Sequence, residues 1–380
     1  MEILRERQRG FDLGWLSDSR NEIYGLAILW VMMFHGNDWN NLNYSLGFSW
    51  LKPLSGFVNL GNSGVDMFLL LSGISLYFSF SRRPPLLGFY KKRYQRLFPA
   101  LWMINGAYWI YLAFVERLQQ GVSLPGVGGH LLLRATQLSF WFGNDRQVWY
   151  VAAIAAFYFL YPFLYQFLFE DARKTGRRAV FLVVFTVAVL LSARVVYAEM
   201  YERLEIALCR LPIFVLGCAL GKLVYERRKI SWWWLVLSAA YIVAVLGLCL
   251  FGYIRWGSDG GAQAVFDLRV WLKNHALWRY QLSLFGLSMT LLVGWLLHLL
   301  SWKPLHAFFK FFGNMSLELY LAHVTVHHVA RLDFWWGPER FTFAKYYAVI
   351  LIAIPVAFVT MKIENALFSK KPKKETAPAA

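Results

Sequence analysis

Apolar residues in this chain run in long blocks of roughly twenty, each closed by clustered charge or by Gly, Pro and Asn. A helix rises about 1.5 Å per residue, so roughly 20 apolar residues cross the ~30 Å hydrocarbon layer of a bilayer. Ten segments answer to that description: 21–37, 62–81, 97–116, 148–169, 179–198, 206–225, 231–254, 279–300, 314–330 and 344–363. The first and ninth are short and polar-flanked, as helices buried within a bundle are. The run 130–142 is apolar but too short to cross, and reads as an interfacial or re-entrant segment. No A-x-A-like cleavage site follows the first block, so it reads as a retained helix. The pattern predicts an all-α, polytopic membrane helix bundle with about ten transmembrane helices.

Composition points the same way. Of the residues, 58% are hydrophobic and 16% charged, against about 25% charged in soluble domains, and the mean hydropathy is +0.43. Lys and Arg number 39 against 22 Asp and Glu, a net charge of +17. In a soluble chain that would suggest nucleic acid. Here most of the excess falls in alternate loops, around Arg82, Arg83, Lys91 to Arg96, Arg173 to Arg178, Lys222 to Lys229 and Lys370 to Lys374. The positive-inside rule then places both termini in the cytoplasm of a multi-pass plasma-membrane protein with no nucleic-acid partner. Residues 1–369 read as one membrane domain and 370–380 as a basic, disordered tail. Cys209, Cys218 and Cys249 are odd in number, lie in apolar stretches and lack metal-ligand spacing, so they read as small core residues.

Ionisable side chains at membrane depth are costly and therefore mark function. The first segment runs from Arg20 to His35, roughly 22 Å further along a helix. His35 is a candidate general base, with Asp38 one turn on to orient its ring; the bland alternative is a hydrogen-bonded interfacial histidine. Asp66 enters at the same depth in G-N-S-G-V-D-M-F, where Gly61, Gly64 and Gly73 permit close helix approach. Arg93 and Arg96 stand one turn apart at the mouth of the third segment, a spacing suited to clamping phosphates. Most of the cations around them are explained as a solvated positive-inside loop. Arg194, Arg210 and Glu318 lie deeper. Arg210 precedes Pro212, which opens the backbone, and Glu318 is an electrostatic partner for it. His323 and His327 have the i, i+4 spacing of zinc ligands, but no cysteine or acid nearby completes a set, so no metal is expected.

No G-x-S-x-G elbow, Walker A loop or G-x-G-x-x-G turn occurs. The ordered series L-A-I-L-W-V-M-M-F-H, N-S-G-V-D-M-F-L-L-L-S-G, F-Y-K-K-R-Y-Q-R-L-F-P, V-W-Y-V-A-A-I-A-A-F-Y-F-L-Y-P, R-L-P-I-F-V-L-G and F-G-N-M-S-L-E-L-Y-L-A-H resembles the acyltransferase-3 family, the multi-span membrane O-acyltransferases that decorate surface polysaccharides. Two positions depart from that family's pattern. Tyr24 stands where an arginine usually precedes the histidine, and Ile154 where the fourth-span motif often has glutamate. Arg20 lies one turn below Tyr24 on nearly the same face as His35 and offers a replacement charge.

The resemblance implies an enzyme that moves an acyl group, commonly acetyl, from cytoplasmic acyl-CoA to a carbohydrate hydroxyl on the far side. It implies a catalytic set of His35, Asp66, Arg20 and Glu318, and a donor-binding set of Arg93, Arg96 and Arg210. The acceptor would stack on outer aromatics such as Trp39, Trp50, Trp141 or Trp149, which also suit a lipid-interface belt. The competing reading is a carrier of a glycan or other small solute, which likewise needs intramembrane charge; no internal repeat supports it.

Overall fold

The computed structural model describes residues 11–38, 55–171, 173–256, 267–268, 270–274, 276–332 and 343–368. The tail 370–380, the basic residues Arg5 to Arg9, Trp39, Trp50 and the side chain of Asp38 lie outside the described residues.

The chain is almost wholly helical. After β1 (Phe11–Asp12) come α1 (Trp15–Asp18), α2 (Arg20–Asp38), α3 (Ser55–Asn59) with a 3-10 turn at Leu60–Asn62, α4 (Ser63–Phe80), α5 (Leu86–Leu118), α6 (Leu124–Ala135), α7 (Leu138–Phe142), α8 (Trp149–Phe169), α9 (Thr175–Val196), α10 (Ala198–Leu208), α11 (Leu211–Tyr225), β2 (Lys229–Ile230), α12 (Trp233–Trp256), α13 (Trp278–Leu299), α14 (Lys303–Asn314), α15 (Ser316–Ala330) and α16 (Phe343–Phe368). β1 and β2 form a two-residue antiparallel ladder, Phe11 opposite Ile230, which pins the start of the described chain to the loop after α11.

Every one of the ten expected segments falls on helix, and seven helices are long and apolar enough to cross a membrane. The count of ten is not met on those terms. α2 carries polar residues, α15 has 15 residues, about 22 Å at 1.5 Å each, and α12 counts among the shorter apolar helices. The segment 130–142 becomes α6 and α7, broken where Gln137 takes a left-handed φ of 63°. The segment 206–225 is likewise two helices, with Arg210 at the break before Pro212.

Small residues set the packing. At the α4–α11 crossing a Cβ on Gly73 would stand 2.6 Å from the Phe214 carbonyl oxygen, and one on Gly217 would collide with the Leu70 carbonyl. The two backbones therefore touch, as in membrane helix pairs held by van der Waals contact. α4 is the most enclosed of the spans and α9 the most exposed. The polar helices α2 and α15 stand inside the bundle, with α5, α13 and α16 packed around α2, α4 and α15.

Candidate active site

Two cavities open toward opposite ends of the bundle. One, of about 860 Å3, lies at the end carrying Arg20 and the start of α5; the other, of about 890 Å3, lies at the end carrying His35. They approach to within a single helical turn. Along α2, Val31 lines the first and Phe34 and His35 the second; at the start of α4, Val65 lines the first and Asn62 the second; in α8 the division falls between Tyr150 and Trp149. Tyr320 of α15 lines both.

At the basic end, Arg20 Nη1 donates to Ser75 Oγ at 3.1 Å and Arg93 donates to Ser79 Oγ. The two serines are one turn apart on α4, so the guanidiniums sit side by side. Neither arginine has a carboxylate partner among the described residues, and the buried Nε of each has no hydrogen-bond acceptor. Arg96 differs. Its Nη1 donates to Glu318 Oε1 at 2.6 Å and to Glu364 Oε2 at 2.8 Å, and its Nη2 to Glu318 Oε2 at 3.0 Å. Two carboxylates thus compensate one cation, and Arg96 ties α5 to α15 and α16. Glu318 meets Arg96, not Arg210.

At the other end, His35 Nδ1 is 2.8 Å from His323 Nε2, with the rings stacked at 5.1 Å. His323 Nδ1 is 2.8 Å from the Leu319 carbonyl, which can only accept. With both rings neutral, His323 therefore carries its proton on Nδ1 and accepts at Nε2, so His35 donates from Nδ1. That leaves the lone pair of His35 on Nε2, the tautomer a general base requires. The orienting partner is thus a histidine on α15. Asp66 is elsewhere: Ser283 Oγ donates to its Oδ1 at 2.6 Å and Arg210 Nε to its Oδ2 at 3.2 Å, all fully or nearly fully buried.

Arg210 also donates to the Ile206 carbonyl at 2.6 Å and to Asn62 Oδ1 at 3.0 Å, and lies over the Trp149 ring at 4.9 Å. It stands behind the His35 cavity, remote from Arg93. Around the rim, Glu116 accepts from Arg134 at 2.5 Å and lies 3.0 Å from His130 Nδ1, and Arg279 donates to Glu205 at 3.0 Å. Trp149 lines this cavity and Trp141 does not. Among the described residues no three His, Cys, Asp or Glu side chains converge as metal ligands.

A family model described as an acyltransferase domain matches residues 25–362, nearly the whole chain. The chain belongs to the acyltransferase-3 family. It is therefore a membrane acyltransferase. No curated protein and no solved structure matches it. His35, Asp66, Arg93, Arg96, Arg210, Glu318 and Tyr320 fall within the part shared with the acyltransferase-3 model, whereas Arg20, Tyr24 and Glu364 fall outside it. Glu364 was not singled out from sequence. Its signal was that of any lone acid near the end of an apolar block, in K-I-E-N.

Proposed function

We propose that this acyltransferase takes its acyl group, acetyl in the simplest case, from cytoplasmic acyl-CoA and delivers it to a hydroxyl of a surface or secreted polysaccharide, with both termini of the chain cytoplasmic. The observation that carries this is the shared wall at Tyr320: a cavity with two uncompensated arginines meets, within one helical turn, a cavity holding a histidine in the basic tautomer.

Arg20 and Arg93 are the clamp for the donor's phosphates, because their charge is not already matched by carboxylates and each has an N–H to give. Lys92 and Lys362 line the same cavity and add positive potential. Arg96 and Glu318 hold α5 against α15 and so keep the cavity in shape. Arg20 then belongs with the donor and not with the reacting atoms, which lie about 22 Å along α2. In the chemical step, His35 Nε2 takes the proton of the acceptor hydroxyl while that oxygen bonds to the thioester carbonyl carbon. Collapse of the tetrahedral adduct breaks the C–S bond, and the imidazolium returns the proton to the departing thiolate. His323 holds the ring in place. The Asp66–Arg210 pair fixes Asn62 and Trp149 in the wall where a sugar ring would stack.

The test is transfer of labelled acetyl from acetyl-CoA to glycan by the purified protein. His35→Ala should lower kcat by at least about a hundred-fold, the size of a general-base contribution, with donor binding retained. Undiminished transfer would remove His35 from the mechanism; movement of unmodified glycan across vesicles without acylation would favour a carrier.

A further inference from the structure

The two cavities are separated by a layer one side chain thick. Val31 and Phe34 are three residues apart on α2, as are Asn62 and Val65 at the start of α4, which is about 4.5 Å along a helix in each case. Aromatic rings of the Arg20 cavity lead up to that interval, and Tyr320 closes it. Tyr24 stacks on Phe68 at 5.3 Å, Phe68 meets Tyr150 at 6.1 Å, and Tyr150 meets the edge of Tyr320 at 5.4 Å. Tyr320 in turn lies edge-on to His323 at 5.9 Å, next to His35. Tyr320 is 5% exposed and, among the described residues, is the one that faces both compartments.

Any molecule that reaches His35 from the clamp at Arg20 and Arg93 must pass this ring pair. An edge-to-face aromatic contact adds a modest increment to burial, so the pair holds closed at rest and yields to a bound ligand. Tyr150 lies in the first turn of α8, next to the 143–148 loop, and Tyr320 in the second turn of α15.

We propose that Tyr150 and Tyr320 form the selective barrier between the two compartments, closed to solvent and small solutes and opened only by the narrow acyl-thioester arm of a donor anchored at the arginines. They are positioning residues: they decide what reaches His35 and how bulky its acyl group is. Tyr320 is the principal element, since its ring is the shared wall. This rests on acyl transfer from the basic end, but the barrier can be measured without any donor.

The experiment places a cysteine at Ser316, which lines the Arg20 cavity one turn below Tyr320. The protein is reconstituted in vesicles oriented with the His35 end outward, and a membrane-impermeant methanethiosulfonate is added outside. Labelling of the parent chain, with its three native cysteines, is the baseline. With Tyr320 intact, Ser316→Cys should label at baseline. In Tyr320→Ala it should label at least ten-fold faster, as it should in Tyr150→Ala. Rapid labelling with both tyrosines present, or no gain in either alanine variant of unchanged thermal stability, would overturn the barrier. A second readout is the ratio of octanoyl to acetyl transfer, expected to rise at least ten-fold in Tyr320→Ala. A labelling gain without any acyl transfer would uphold the barrier and reject the donor. Transfer without a labelling gain would do the reverse.

Discussion

Arg93 and Arg96 stand one turn apart and have different electrostatic fates. Arg93 rests on a serine and keeps its charge for a ligand, while Arg96 is shared by Glu318 and Glu364. Arg96 is 45% exposed, whereas Glu318 and Glu364 are buried, so removing the arginine strands two buried carboxylates. Arg96→Ala should therefore lower thermal stability strongly, and adding Glu318→Gln should restore part of the loss, as read from melting curves of the detergent-solubilised protein. Arg93→Ala and Arg20→Ala should leave the melt nearly unchanged and raise the KM for acetyl-CoA about ten-fold each, the scale of one charge-assisted hydrogen bond, with kcat little altered. A fall in kcat at constant KM for Arg20→Ala would return that residue to the chemical step. The residue types at membrane depth were legible in the sequence; their partners were not. Asp66 with Arg210 and Glu318 with Arg96 replace the Glu318–Arg210 pairing that position along the chain suggested.

At the scale of elements, hydropathy located all ten helical segments, because the cost of leaving a backbone amide in hydrocarbon is local and forces helix wherever a long apolar block occurs. It did not separate the helices that face lipid from those that face each other. α9 buries two of its 22 residues and α4 14 of its 18, yet both are strongly apolar. The break at Arg210 goes with Pro212, whereas the split of 130–142 into α6 and α7 falls at a left-handed Gln137 that hydropathy does not mark. The α4–α11 contact gives a prediction at this level. Gly217→Leu drives a side chain into the Leu70 carbonyl and should prevent accumulation of folded protein, measured as loss of the monodisperse peak in size-exclusion chromatography. Gly247→Leu, where a Cβ meets nothing within 4 Å, should be tolerated.

For the whole molecule, orientation is the property on which the direction of transfer depends. The positive-inside rule puts the loops at Arg173 and Arg83 in the cytoplasm and the loop at Asn144, beside the His35 cavity, outside. In intact cells, Asn144→Cys should react with an impermeant maleimide and Arg173→Cys only after permeabilisation. The opposite result would invert the path of the acyl group.

The amino-acid order by itself determined that this is a helical membrane protein, which segments are helical, and which ionisable groups lie at membrane depth. Each of these follows from transfer energies and from a helical rise that act over one turn or one span. Tertiary structure alone decided that His35 is held by a histidine 288 residues away, that Arg96 is matched by Glu318 222 residues away, and that one tyrosine ring stands between two cavities. Those arrangements depend on how buried helices meet, and no local rule in the chain encodes which of several equally placed charges or rings will find one another.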